Sequence, residues 1–593
     1  MKLYRLLSAA TVATLAVSLS SCASSQRDSA SSGNTTAASP EASSSAAPSS
    51  DAGSSEAPSA SSSASSDGGA GDGTFIFGSA GAPSMFDPLY ATDGQTFIVT
   101  RQMTEGLLGF KPGTTESEPA LAESWTSTPD GLSWTFKIRQ GVTFSDGEKL
   151  DAEAVCYNIE RMYTQTGAGA TQAQYWSDTL GGFKDQKAED GTAIPSLYKS
   201  CSASDPATVV IDLNSFTSKF PSILGLPAFS IQSPKALKQY NANDVKAEGD
   251  SFSYPEYALK HPTGTGPFTF TKYDSANQTV ELTRNENYWG EKAKSKTLIF
   301  KIIADEAARK QEFDAGTIDG YDTPSSGDWD ALTAAGAQVL VRPAFNILYL
   351  GFNPTNNPAL KDLKVRQALS YALNRPDFVS SQLPNGAKVA LNFYPDTIEG
   401  WTPDVEKYEY DPAKAKALLK EAGQEALTVN FWWPTEVTRP YMPNPSAVFQ
   451  AFKADLEAVG VKVNETSKPW NGGYLDGVEA QSADLFLLGW TGDYATPDNF
   501  IGTFFTKAKN RFGTADYPWG TTLSNELIAA DAEADTPKRV AMYADIDKKL
   551  MSDYLPALPI SHSPPALVVA GNVKGMVASP LTDEHFSTVY KTS

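Results

Sequence analysis

Residues Ala483 to Trp490 read Ala-Asp-Leu-Phe-Leu-Leu-Gly-Trp and then break into Thr491-Gly492-Asp493-Tyr494-Ala495-Thr496-Pro497-Asp498. No other stretch constrains the fold as tightly. A continuous apolar run of this length, ended by a loop shaped by Gly and Pro, predicts a strand buried in the core. Its C-terminal end delivers a carboxylate, Asp493, between two aromatics, Trp490 and Tyr494. In open α/β sheets ligands lie just outside the carboxyl ends of strands. A carboxylate beside aromatics suits a cationic amino group with an apolar flank. On this stretch alone, an Asp in an ordinary strand-to-helix loop is an equal reading.

The surroundings supply the class. Leu132–Ile138 alternates as a half-buried strand does, and Thr208–Leu213 and Thr279–Thr283 look similar. Further on, helices and strands alternate. Asp411-Pro412 caps a helix that Gly423 closes, Ser446–Val459 forms another ended by Gly460, and Val461-Lys462-Val463 starts a strand. Thr536-Pro537 opens a helix to about Met551, which Pro556 and Pro559 stop. This order predicts an α/β fold with a mostly parallel sheet. A chain of 593 residues is too long for one core, so two or three lobes are expected.

The N-terminus assigns the compartment. Lys2 and Arg5 precede an apolar stretch from Leu6 to Leu19, too short to span a bilayer comfortably and suited to a signal peptide. It ends in Leu19-Ser20-Ser21-Cys22, which resembles the bacterial lipobox, so residues 1–22 are expected to be a lipoprotein signal peptide and lipobox, cleaved before Cys22, which becomes the lipidated N-terminus. Residues 23–73 are almost entirely Ser, Ala, Gly, Pro and Thr, a composition that cannot bury a core and reads as a tether reaching ~40 Å. The expected location is extracytoplasmic: the outer face of the cytoplasmic membrane in a Gram-positive-type cell, periplasmic otherwise. With Cys22 lipidated, Cys156 and Cys201 remain in an oxidising compartment and are expected to pair. Three histidines far apart and no Cys-x-x-Cys argue against a metal centre, and no cofactor is expected. The net charge of −21 argues against nucleic acid or anionic lipid as a direct partner.

Along the body, Pro119–Trp125, Asp130-Gly131, Trp134-Thr135-Phe136 and Arg139–Gly147 form one series of motifs. Gly264–Phe268, Arg284-Asn285 and Asn287–Gly290 form a second, followed by Ala315-Gly316, Ile318-Asp319, Val365–Leu369 and Ala372–Arg375. In this order they resemble the family 5 extracellular solute-binding proteins, the receptors of ABC importers for peptides, nickel and related solutes. The resemblance implies a type II periplasmic-binding-protein fold, with two lobes joined by two hinge crossings and a small extra subdomain in the first. The expected layout is lobe 1 over 74–342 with the extra subdomain at about 116–205, lobe 2 over 343–556, and a return to lobe 1 over 557–593. The crossings are placed near Arg342–Phe345 and Leu555–Ile560. Trp125, Trp134 and Trp289 are expected to be core.

Within the family, Arg439–Pro445 and Gly489–Asp493 with Pro497–Phe500 look most like the dipeptide-binding members. The resemblance gives Asp493 the peptide amino group and Arg439 the carboxylate, with Gly489, Trp490, Tyr441 and Tyr494 around the side-chain space. The pairing is physically apt, because Asp accepts charge-assisted bonds from an ammonium and Arg offers a fork to a carboxylate. The dipeptide-binding members have Asn where this chain has Met442 and Tyr494, which leaves ligand length and identity open. The expected function is a monomeric, lipid-anchored, non-enzymatic receptor that hands small peptides to an ABC permease. The alternatives are a receptor for a metal chelate, haem or another small molecule, a peptide sensor, and, remotely, a hydrolase using Asp493 and Asp498.

Overall fold

The computed structural model describes residues 73–592 apart from 189, 249, 250 and 508. Cys22, the signal segment and all but the last residue of the tether lie outside them. Three sheets organise the body. The first has seven strands in the order Phe268–Asp274, Thr279–Arg284, Thr297–Ile302, Thr74–Ser79, Gly320–Asp322, Ala566–Val569 and Gln338–Val341. Phe75 and Phe77 of its middle strand alternate inward and meet Phe586 and Phe300, with the Phe77 and Phe586 rings 5.1 Å apart. The second sheet has six strands: Lys388–Val389, Ala557–His562, Asn346–Phe352, Leu485–Thr491, Thr428–Thr435 and Lys462–Pro469.

Both sheets are mixed rather than mostly parallel. Leu485–Thr491 runs antiparallel to Asn346–Phe352 along its whole length and parallel to Thr428–Thr435 only at Phe431 and Trp432. The apolar run is buried, from Leu485 to Gly489, as expected. Burial on both faces makes a strand uniformly apolar whatever the direction of its neighbours, so the pattern could not report pairing. The strands that enter and leave each lobe are the antiparallel ones.

The third sheet is antiparallel, in the order Ala122–Ser127, Ser133–Ile138, Thr208–Leu213, Tyr198–Asp205. Helix Ala152–Tyr163, capped by Asp151, packs on it, and the Cys156–Cys201 disulfide joins this helix to the edge strand. Trp134 and Trp289 are structural: their indole N–H groups donate to the Gly131 carbonyl and to Glu105.

The chain leaves the seven-stranded sheet after Val341 and enters the six-stranded sheet at Asn346. Arg342, at this crossing, is buried and paired with Glu584 at 2.7 Å and Asp322 at 2.8 Å. The return comes later than the sequence suggested. Ala557–His562 belongs to the six-stranded sheet, so the chain crosses back at Ser563-Pro564-Pro565 rather than at Leu555–Ile560, and lobe 2 extends past residue 556. Pro559 looked like a breaker, but it sits beside a register shift opposite Leu348 and Tyr349, where a strand tolerates the missing N–H. The two crossings are bonded side by side. Asn346 Nδ2 donates to the Ser563 carbonyl at 2.7 Å, and the Ser563 N–H donates to Asn346 Oδ1 at 3.1 Å. Among the described residues no helix is long and apolar enough to cross a membrane.

Candidate ligand-binding site

Strand Leu485–Thr491 aims at the junction of the lobes, and two glycines let its end be crowded. A Cβ at Gly489 would lie 2.2 Å from the Ile347 carbonyl oxygen and 2.4 Å from the Tyr441 ring. At Gly492 it would lie 2.3 Å from Phe345 and 2.7 Å from Phe500. Only glycine permits such approach. Tyr441 therefore lies against the strand itself.

Asp493 follows directly. Its N–H donates to Asn499 Oδ1 at 2.7 Å, which folds the loop back on itself. Its carboxylate accepts from the Tyr175 hydroxyl at 3.1 Å and from Asn499 Nδ2 at 3.4 Å. Tyr175 comes from the other lobe, on helix Gln174–Thr179, and packs edge-on against Phe97. Both donors are neutral. Burial pushes the Asp493 carboxyl up to about 6, against the opposing pull of Asn499, Tyr175 and the more distant Arg101. The residue as a whole is half-buried.

Trp490 is also half-buried; its indole N–H donates to Asn499 Oδ1 at 3.4 Å and its ring meets Phe504 edge-on. Arg439 begins a tight turn closed by reciprocal backbone bonds with Met442 at 3.2 and 2.9 Å. Its guanidinium lies 4.5 Å from the Trp470 ring centroid, and its buried Nε has no hydrogen-bond partner among the described residues. Burial raises the Tyr441 hydroxyl above its ordinary value, with Arg439 and then Arg511 pulling the other way. Arg511 is itself paired with Glu479 at 2.6 Å. Arg439, Tyr441 and Gly489 thus gather on one side of the strand, and Trp490 and Asp493 follow at its end.

Tyr494 goes elsewhere. It is buried, and its hydroxyl donates to Asp498 at 3.4 Å. Met442 is fully buried. Both positions that differ from the dipeptide-binding members are therefore packed inside. Asp498 receives the Lys219 ammonium at 2.7 Å. An acid already neutralised by lysine makes a poor partner for Asp493 in hydrolysis. Sequence reasoning missed Tyr175, Lys219 and the hub role of Asn499. Asn499 was within a quoted motif, but Tyr175 and Lys219 lie some three hundred positions from their partners and carry no local signal.

Each of the three histidines has a partner within the chain. His261 stacks on Tyr240, and His585 faces Asp583. His562 bonds the Asn346 carbonyl through Nδ1 at 2.6 Å, and burial drives it down to about 4. No group of three or more His, Cys, Asp or Glu side chains suited to a metal ion occurs among the described residues.

Comparison with known proteins gives a consistent result. The family model for bacterial extracellular solute-binding proteins, family 5 (middle), matches residues 116–512. The dipeptide-binding protein of Escherichia coli K12 is 32% identical over 525 residues, covering 87% of this chain and 94% of that protein. Haem-binding protein A of Haemophilus influenzae is 30% identical over 527 residues, covering 86% and 91%. Among solved structures, the ABC transporter-associated periplasmic binding protein DppA from Helicobacter pylori, in complex with the peptide STSA, aligns with a TM-score of 0.71. It shares 27% identity and covers 88% of this chain and 98% of its own. Two lobes, a double crossing and an added sheet make up the type II periplasmic-binding-protein architecture. With the model match and a relative aligned over nearly the whole of both chains, this chain belongs to the family 5 bacterial extracellular solute-binding proteins.

Proposed function

We propose that the protein captures small peptides with a free N-terminus between its lobes and delivers them to an ABC permease. The observation that carries this reading is Asp493: a half-buried carboxylate at a strand end, held by neutral donors and raised by burial. A group in this condition gains most from a cation brought to it, and a peptide ammonium is such a cation. Arg439, spread on Trp470 with an unpaired Nε, is assigned the peptide carboxylate. Tyr441, Gly489 and Trp490 are assigned to the wall between them, and Tyr494 to support of the loop from behind. The similarity to dipeptide-binding relatives supports the same ligand class. Anchoring through a lipid on Cys22, with residues 23–73 as tether, completes the proposal.

Calorimetry and thermal shift with paired ligands test it. Free dipeptides are expected to bind and raise the melting temperature, and their N-acetylated forms are not. Equal binding of both forms would remove Asp493 from the amine role. A second reading, a haem receptor, draws on the Haemophilus relative. Native mass spectrometry of the exported protein separates the two by the mass of what co-purifies.

A further inference from the structure

A second charged cluster joins the lobes, and the peptide reading makes no use of it. Lys219 follows strand Thr208–Leu213 of the antiparallel sheet and immediately precedes the short helix Phe220–Ile223. Its side chain is only 7% exposed and its ammonium reaches across to two carboxylates of lobe 2: Asp498 at 2.7 Å and Asp531 at 3.3 Å. Asp498 lies in the turn after strand Leu485–Thr491, and Asp531 ends helix Gly520–Asp531. The neighbours of Lys219 complete the contact. Thr217 Oγ1 and Ser218 Oγ donate to the Asp531 carboxylate at 2.9 and 3.1 Å, and the Ser218 N–H donates to the Asp531 carbonyl at 3.3 Å.

We propose that Lys219, Asp498 and Asp531 form a closure latch, a buried ion triad that holds the lobes together independently of ligand and positions the Asp493 loop. Three observations support it. The partners come from opposite sides of the hinge, so the triad exists only when the lobes meet. One lysine faces two acids of the same lobe, so withdrawing it leaves like charges side by side, a repulsion that closure relieves. A buried ion pair also gains little over its separated, hydrated state. That balance suits a contact that must form and break, unlike the apolar packing of a permanent interface.

The same loop links the latch to the candidate site. Asp493 and Asn499 bond each other at its two ends, while Tyr494 and Asp498 bond each other behind it. Lys219 fixes Asp498, the residue next to Asn499, and Asn499 orients Asp493. Burial works against the Lys219 ammonium, and Asp498 and then Asp531 overcome it, holding the lysine above its ordinary value. Lys219 is thus a positioning residue.

The test uses no ligand, so its failure is separate from failure of the peptide reading. Spin labels at exposed Ser127 and exposed Lys420 report the inter-lobe distance in the full chain by double electron–electron resonance. The ligand-free wild type is expected to show a short-distance population. Lys219→Met should reduce it at least about tenfold, and Lys219→Arg should restore most of it. Asp531→Asn, which preserves shape, should reduce it about threefold and serves if Lys219→Met fails to fold. Absence of a short-distance population in the wild type overturns the latch. So does an unchanged population in a folded Lys219→Met or Asp531→Asn protein, or an Arg variant that behaves like Met.

Discussion

Asp493 and Asp498 stand five positions apart on one loop, both withdrawn from bulk water, and their neighbours treat them in opposite ways. Asp498 meets an internal lysine and a tyrosine hydroxyl. Asp493 meets only a tyrosine hydroxyl and an amide. Burial raises both carboxyls, but for Asp498 the largest opposing influence is the charge of Lys219, whereas for Asp493 it is the Asn499 amide. The difference is one of saturation. One carboxylate has its cation built into the chain and serves the fold. The other is presented with its charge uncompensated, which is wasteful for stability and useful for recognition.

The sharpest way to break this comparison is to neutralise each acid in turn. Asp493→Asn is expected to lose at least about a hundredfold in affinity for a free dipeptide, because truncating one partner of a desolvated charge pair typically costs 2–5 kcal/mol. Asp498→Asn should lose only about tenfold, through weaker lobe contact. Both should keep a cooperative melt. Titration calorimetry at pH 7 measures the ratio, and similar losses in the two variants would erase the difference between the two acids.

Acidity offers a second, smaller lever. The Asp493 carboxyl stands at about 6, above the ordinary 3.8, so folding favours its neutral form. In the absence of ligand its contribution to stability is therefore full below about pH 4 and is lost as pH rises through about 6. An ammonium ligand needs the charged form and releases a proton on binding. Affinity is then expected to fall about tenfold per pH unit from pH 6 towards 4 and to be flat above 6. A profile flat from pH 5 to 8 would mean that Asp493 does not meet a cation.

Legibility from sequence followed the range of the interaction. Asp411 caps its helix as its local spelling suggests, the helix expected from Ser446 starts at Pro445 behind an Asn444 cap, the one expected from Thr536 is capped by Asp535, and Gly423 and Gly460 close helices at positive φ. The strand leading to Asp493 was readable because burial on both faces imposes an unbroken apolar run. Strand direction was not, since pairing leaves no mark on such a run. The Pro559 register shift was hidden because a proline spells the same whether it ends an element or sits in an irregular strand. Asp493 stands out by its place at the strand end, its role and Arg439 come through a family resemblance, and what surrounds them does not. Tyr175 and Lys219 reach the loop from another lobe, and a single sequence does not record which distant residues meet.

The finest test concerns Tyr175, inside the segment closed by the Cys156–Cys201 disulfide. Two roles are open to its hydroxyl. It can compete with a ligand ammonium for Asp493, or it can hold the carboxylate ionised and aimed while the ammonium takes other lone pairs. A carboxylate has about four acceptor sites, and Tyr175 and Asn499 use one on each oxygen. Acceptor capacity for an ammonium remains, which favours the second role. Tyr175→Phe should therefore weaken dipeptide binding at pH 7 by about threefold to tenfold, the value of one hydrogen bond. It should also shift the midpoint of the pH profile upwards, because the hydroxyl is one of the groups pulling the Asp493 carboxyl down. A purely structural tyrosine would lower affinity without moving that midpoint. Tighter binding by the Phe variant would assign the hydroxyl to competition instead, and Asp493 would then be an acid that its own chain partly satisfies, as Asp498 is by Lys219.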